Sequence, residues 1–320
     1  MTTANLTAPA PSLPAWKLVL DKFFALAGLV VLSGVLTAMS PRFLTFENLF
    51  NVARQISITG IVAVGMTVVI VTSGIDLSVG SILALAACVA GLLMTKGTAI
   101  PVALFVGCVV GTLCGLINGL IITKLRITPF IATLGMMSIA RGASLVLTDG
   151  IPVDALPDGV PAIAGNLGPV PIPVLVMLVV AALGAAILGY TKLGRYAYAL
   201  GSNEEAVRLS GIAVDAYKIA IYGLSGLLAS VAGMVMMARL SSAQPTGGQL
   251  MELDAIAAVV IGGASLMGGR GTIFGTIVGV TIIGVLRNGL VLLDVSAFWQ
   301  QLVIGLVIIL AVALDQVRHK

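Results

Sequence analysis

Ile56-Ser-Ile-Thr-Gly-Ile-Val-Ala-Val-Gly-Met-Thr-Val-Val-Ile-Val71 carries no charge, and its apolar residues follow one another without alternation. Phe23 to Met39 and Gln301 to Leu314 read the same way. In hydrocarbon every backbone N–H and C=O needs an internal partner, so only helices or a closed barrel can span a bilayer. Barrel strands alternate apolar and polar residues over about ten positions, and these runs do not. Helices of roughly 20 apolar residues match a bilayer core of about 30 Å.

Working outward, the composition agrees. Of 320 residues, 59% are hydrophobic and 9% charged, with a mean hydropathy of +1.14. A water-soluble domain carries about 25% charged residues, so the solvent of this surface is lipid. Charges, prolines and glycines divide the chain into about ten spans, over 23–40, 56–72, 81–95, 100–122, 128–147, 172–190, 218–238, 254–267, 272–292 and 297–314. The eighth is short and runs into Gly262, Gly263, Gly268, Gly269 and Gly271, which predicts a broken or half-crossing helix. The expectation is one all-α, polytopic transmembrane bundle over residues 1–320, with a flexible cytoplasmic tail over 1–20. The first span lies too far from the start to read as a cleaved leader.

Lysine and arginine are retained on the cytoplasmic side. With the N-terminus inside, Lys17, Lys22, Lys124, Arg126, Lys192, Arg195, Arg208, Lys218, Arg270, Arg318 and Lys320 fall inside, and Arg42, Arg54, Lys96 and Arg239 outside. Asp149, Asp154 and Asp158 mark 149–171 as an external loop. Both termini are therefore expected in the cytoplasm. Gly107, Gly111, Gly115 and Gly119 recur every four residues, as do Gly271, Gly275 and Gly279, the spacing that lets helix backbones approach closely in lipid. Ser73-Gly-Ile-Asp-Leu-Ser-Val-Gly80 faintly repeats in Gly262-Gly-Ala-Ser-Leu-Met-Gly-Gly269, and interrupted segments in corresponding halves point to transport sites.

No catalytic constellation is present. Cys88, Cys108 and Cys114 lack metal or redox spacing, the single histidine, His319, sits in the tail, and no Gly-x4-Gly-Lys-Ser/Thr phosphate loop occurs. If ATP drives transport, another polypeptide hydrolyses it, and no cofactor is expected on this chain. The cytoplasmic loop 191–217 holds Ser202-Asn-Glu-Glu-Ala-Val-Arg-Leu-Ser-Gly211. Ser202 and Glu205 have capping-box spacing, Glu204 and Glu205 suit a first turn, Arg208 a last one, and Gly211 a left-handed stop. Ser202, Asn203, Glu204, Glu205, Ala206, Arg208, Leu209, Ser210 and Gly211 thus define a helix over 203–210. It is too short to stand alone in water, and reads either as a knob for a second protein or as a helix resting on its own bundle.

Polar residues in or beside spans are the path candidates, since buried charge in lipid is costly and often functional. Asp76 either lines a path or caps a helix beginning near Leu77. Arg141 and Arg287 either line the path or snorkel outward. Asn118, Gln244 and Asn288 are path or interhelical hydrogen-bonding groups, and Ser73 opens the Gly-flanked break. So few intramembrane charges suit a neutral solute.

Ala63 to Ser81, Leu193-Gly-Arg-Tyr-Ala-Tyr-Ala-Leu-Gly201, Arg239-Leu-Ser-Ser-Ala-Gln-Pro245 and Glu252-Leu-Asp-Ala-Ile-Ala-Ala258 together resemble the permease family of bacterial ABC sugar importers of the ribose type, the inner-membrane components of binding-protein-dependent transport systems. Glu205-Ala-Val-x3-Gly211 approximates that family's Glu-Ala-Ala-x3-Gly coupling motif, with Val207 in place of the second alanine. The resemblance implies a multi-pass protein of the bacterial inner membrane, importing ribose or a similar monosaccharide. It also implies a second permease copy (a homodimer), cytoplasmic ATPase subunits holding ATP and Mg, and a periplasmic sugar-binding protein, with no nucleic acid. An ion-coupled carrier is the alternative, and it would need intramembrane carboxylates, of which only Asp76 stands inside the apolar runs. A membrane enzyme or scaffold is a third reading, disfavoured by the missing nucleophile and metal motifs.

Overall fold

A computed structural model describes residues 15–318. Of the tail expected over 1–20, residues 1–14 lie outside the described residues, as does His319, and the chain is helical from Ala15. Among the described residues the helices are α1 (Ala15–Met39), α2 (Phe46–Val71), α3 (Val79–Thr95), α4 (Ile100–Lys124), α5 (Pro129–Thr148), α6 (Ile172–Tyr190), α7 (Lys192–Leu209), α8 (Val214–Leu240), α9 (Met251–Ile261), α10 (Ile273–Leu292) and α11 (Ala297–Arg318). A 3-10 turn at Pro161–Ala164 and two short antiparallel strands, β1 (Asn166–Leu167) and β2 (Val170–Pro171), fold the loop before α6. The protein is thus all-α apart from that ribbon. Among the described residues six helices, α2, α4, α5, α6, α8 and α10, are long and apolar enough to cross a membrane.

Position in the bundle follows from composition. α2 is apolar on every face and becomes the axis, with Gly60 through Val71 all buried. Long α8 packs beside it, buried from Ser225 through Ala238 except at a few positions. α4 and α6 leave wide apolar faces open, with Phe105, Leu113, Val179 and Leu183 more than half exposed, as a lipid-facing surface requires. Cys88 is buried and Cys108 and Cys114 are partly so, all unbonded to one another.

The glycine stripes bring helices together as their spacing predicts. On α4, Gly111 lies against Gly226 and Ser230, and Gly115 against the Tyr222 carbonyl and Gly223 of α8. On α10, Gly275 meets the Gly262 carbonyl and Gly279 that of Ala258 at the end of α9. At Gly115 a methyl group would run into backbone, which cannot yield as a flexible side chain does.

Two interruptions depart from a bundle of continuous rods. α2 stops at Val71, and the chain passes through Thr72–Ser78 by two turns and a short non-helical stretch before α3 begins beside Ser225, near the middle of α8. α9 has eleven residues, about 16 Å at 1.5 Å per residue, roughly half a bilayer core. The starts of these two helices meet, since Gly80 stands against the Gly248 carbonyl and within 2.8 Å, at its would-be Cβ, of Glu252 Oε2.

Replacing Gly115 by alanine is expected to push α4 off α8 and to lower stability by about 1–3 kcal/mol, the usual range for overpacking. Gly135→Ala on α5, where nothing lies within 4 Å, should leave stability unchanged. Thermal unfolding of the detergent-purified variants distinguishes the two.

Candidate functional site

α7 is two helices joined at a kink. Thr191 caps the first by accepting the Gly194 N–H at 3.3 Å. Ser202 still belongs to that helix, its hydroxyl donating back to the Tyr198 carbonyl at 3.0 Å. Asn203 then leaves helical geometry (φ −161°, ψ 97°), and its Oδ1 accepts the Ala206 N–H at 2.9 Å. The cap is therefore Asn203, not the Ser202 that capping-box spacing predicts, because Ser202 is already used by the preceding turn. A short helix over 204–209 follows and ends at Gly211, whose φ is +80°.

This short helix is fixed on one face and open on the other. Val207 is buried with Leu200 and Val214, and Tyr196 stacks edge-on against Tyr217 with ring centroids 4.7 Å apart. Glu204 bonds Lys218 and, at 3.1 Å, Arg208. Arg208 also reaches Asp215 at 3.3 Å, and Asp215 takes Lys124 of α4 at 3.1 Å. Partial burial pulls the Glu204 carboxyl upward, but its bond to Lys218 and then that to Arg208 outweigh burial and leave its pKa below the ordinary value. Outward, Glu205 and Ala206 are exposed and Leu209 is 83% exposed. The Val207 substitution thus falls on the anchoring face and leaves the outward face untouched.

The kink rests on both helix interruptions. A Cβ on Gly201 would run into the Val71 carbonyl and the Gly269 backbone nitrogen, leaving no room for a side chain. Gly269 N–H donates to Val71 O at 2.9 Å, and Ser73 Oγ lies 2.6 Å from Met267 O and 3.2 Å from Gly201 O. Tyr198 donates its hydroxyl to Gly271 O at 2.7 Å. The two similar stretches, 73–80 and 262–269, are accordingly the breaks before α3 and α10, and they touch.

Deeper in, Asp76 is fully buried. Its Oδ1 accepts the Ser78 N–H at 3.0 Å and the Ser78 hydroxyl at 2.5 Å, and its Oδ2 accepts Ser225 of α8 at 2.8 Å. Asn118 of α4 donates to Ser78 Oγ at 2.9 Å. The structure thus brings Asp76 and Asn118 into one network that closes the break and starts α3 at Val79. The Arg141 guanidinium donates to Pro245 O at 2.7 Å and Gly247 O at 2.9 Å, clamping the segment that leads into α9. Gln244 in that segment donates to Ser242 at 2.9 Å. Asn288 exchanges two amide bonds with Asn48, at 2.8 and 3.0 Å, tying α10 to α2.

Arg287 pairs with Asp254 of α9, its Nη2 lying 2.8 and 3.0 Å from the two carboxylate oxygens. The pair lies in a cleft of about 220 Å³ between α2, α8, α9 and α10, which Gln55, Thr59, Arg239 and Gln249 also line. Of the seven path candidates only Arg287 borders this cleft. Asp254 escaped the sequence reading because a carboxylate next to a span end looks like an interfacial residue until its cationic partner is known. Asp215, Lys218 and Lys124 escaped for the same reason. No group of His, Cys, Asp and Glu suited to a metal occurs among the described residues.

A lipid-facing bundle with two interruptions that touch and a rigid, partly bare hairpin defines a multi-pass membrane permease. The chain belongs to the family described as branched-chain amino acid transport system, permease component, whose model matches residues 48–312. It is 48% identical to the ribose import permease protein of Escherichia coli (strain K12) over 325 residues, covering 100% of both chains. It is 46% identical to the ribose import permease protein of Bacillus subtilis (strain 168), over 93% of this chain and 94% of that one. Against the fructose import permease protein of Rhizobium meliloti the identity is 39%, over 87% and 80%. No solved structure matches the chain.

Two predictions follow from these geometries. Asp76→Ala leaves the Ser78 N–H and two hydroxyls without their acceptor and should cost about 1–3 kcal/mol, while Asp76→Asn keeps the shape and part of the bonding and should cost less. Chemical denaturation of the purified protein measures both. A Glu204 pKa held below its ordinary 4.5 contributes stability present above that value and lost as pH falls below it. A spin label on Glu205→Cys should therefore stay immobile from pH 8 to 5.5 and loosen only below about 4.5, whereas loosening near pH 6.5 would contradict the assignment.

Proposed function

We propose that this chain is the membrane-spanning subunit of an ATP-driven importer that carries a monosaccharide, ribose or a close analogue, from periplasm to cytoplasm across the bacterial inner membrane. The names of its relatives support the cargo. The chain crosses the membrane about ten times, α3 and α9 being the interrupted members, and both termini and the 191–217 hairpin face the cytoplasm. Two copies form the path, cytoplasmic ATPase subunits bring ATP and Mg, and a periplasmic binding protein delivers the sugar.

The observation that carries this reading is Leu209. An exposed leucine at the end of a helix that five charged groups hold rigid is a peg with no partner among the described residues. Seated in an ATPase subunit, the peg moves as that subunit closes. The clamp of Glu204, Arg208, Lys218, Asp215 and Lys124 passes the motion to α4 and α8, and Gly201 and Ser73 pass it to both breaks. Ser73, Asp76, Asn118 and Arg141 then act by holding the segments that move. The cleft beside Arg287 and Asp254 offers the sugar polar groups on its way, and Gln55, Thr59, Arg239 and Gln249 extend them. Asp76 has both oxygens occupied, which suits a structural carboxylate better than an exchanging ion site.

Leu209→Glu should reduce ATPase subunit co-purifying with the permease at least tenfold, with the permease itself still folded. Liposomes holding permease, ATPase and binding protein should accumulate labelled ribose on ATP addition, and liposomes holding this chain alone should not. Accumulation by the chain alone overturns the assignment.

A further inference from the structure

A second cavity, of about 300 Å³, opens between the hairpin and the first break. Its walls include Thr72 and Ser73 of the break, Ser202 and Asn203 of the kink, and Lys218 and Tyr222 of α8. Tyr222 is 1% exposed, its hydroxyl lies against Gly74 in the same wall, and that hydroxyl has no hydrogen-bond partner. Buried polar groups are nearly always satisfied, so an orphan of this kind marks a place that something else completes.

The rest of the wall says what that is. Thr72, Ser73 and Ser202 each direct a hydroxyl proton to a backbone carbonyl, of Val69, Met267 and Tyr198, and keep lone pairs to accept. The Asn203 carbonyl oxygen takes the Ala206 N–H, which leaves its NH2 group to donate. Lys218 is neutralised by Glu204, so the cavity offers no net charge to an anion. Donors and acceptors interleaved without net charge match a small neutral molecule bearing several hydroxyls, each of which both donates and accepts.

We propose that this cavity is a binding site for such a molecule, and that its natural occupant is the imported sugar returning from the cytoplasmic side. This rests on the importer reading above, which puts the hairpin in the cytoplasm. A sugar seated here touches the kink and the break at once, so it holds Asn203 and Ser73 at a fixed separation and slows the next cycle. Import is thereby restrained by its own product, through a site apart from the cleft that carries Arg287.

The test uses the complete importer in liposomes, with saturated binding protein inside, ATPase subunits and ATP in the bath, and D-ribose titrated into the bath. ATP hydrolysis and outward release of labelled ribose should fall at least twofold as bath ribose rises, and sodium chloride of equal osmolality should have no effect. Tyr222→Phe, which removes only the orphan hydroxyl, should raise the half-inhibiting concentration about three- to tenfold and leave the rate in ribose-free bath unchanged. Thr72→Val should shift it in the same direction. An active importer indifferent to bath ribose overturns the proposal, as does inhibition that neither variant shifts, since the hydroxyl then faces ordered water alone. An assembly with no ATP-dependent release even in ribose-free bath overturns instead the importer reading on which the proposal stands.

Discussion

A peptide group with no partner in hydrocarbon costs several kcal/mol, and the architecture answers to that constraint first. α2 can stop at Val71 only because its freed groups are taken up: Val69 O accepts Thr72 and Gly74, Ile70 O accepts Ser73, and Val71 O accepts Gly269 from a distant loop. The second interruption closes likewise, with Ala264 N–H on Val259 O and Ser265 N–H on Arg270 O. One carbonyl, Val71 O, joins the two breaks. Where the backbone runs out of partners, side chains substitute, Asp76 for the Ser78 N–H and Arg141 for the Pro245 and Gly247 carbonyls.

This economy has a mechanical side. Breaks held by scattered hydrogen bonds to separate segments are easier to rearrange than unbroken helices, whose backbone is bonded along the same rod. The glycine contacts between α4 and α8 bind the rigid part, and the Gly201–Val71–Gly269 junction sets the compliant part at the foot of the hairpin. Stiff rods and soft joints therefore come from different residues, small ones at four-residue intervals for the first and polar ones beside left-handed glycines for the second.

Much of this was legible in the residues. Continuous apolar runs gave the helices nearly span by span, because in lipid the run length and the helix are the same constraint. The stripes at Gly107–Gly119 and Gly271–Gly279 marked the tightest contacts, since a small residue every fourth position has few other uses. Legibility failed where one residue had two possible partners. Ser202 looked like the cap until Tyr198 claimed its hydroxyl. The partners of Arg141 could not be read off because the carbonyls it grips lie over a hundred positions away. The Lys124–Asp215 pair is distant in the same way, 91 positions apart, and Arg287 and Asp254 stand 33 apart.

The two-sidedness of the 204–209 helix separates two kinds of selection. Val207, Glu204 and Arg208 answer to the bundle beneath them, while Glu205, Ala206 and Leu209 answer to whatever arrives from outside. If that side seats the ATPase subunit, as proposed, changes there can retune affinity for a motor without disturbing how this chain folds. Permeases built on one scaffold can thus share a motor or keep a private one by altering a handful of surface positions.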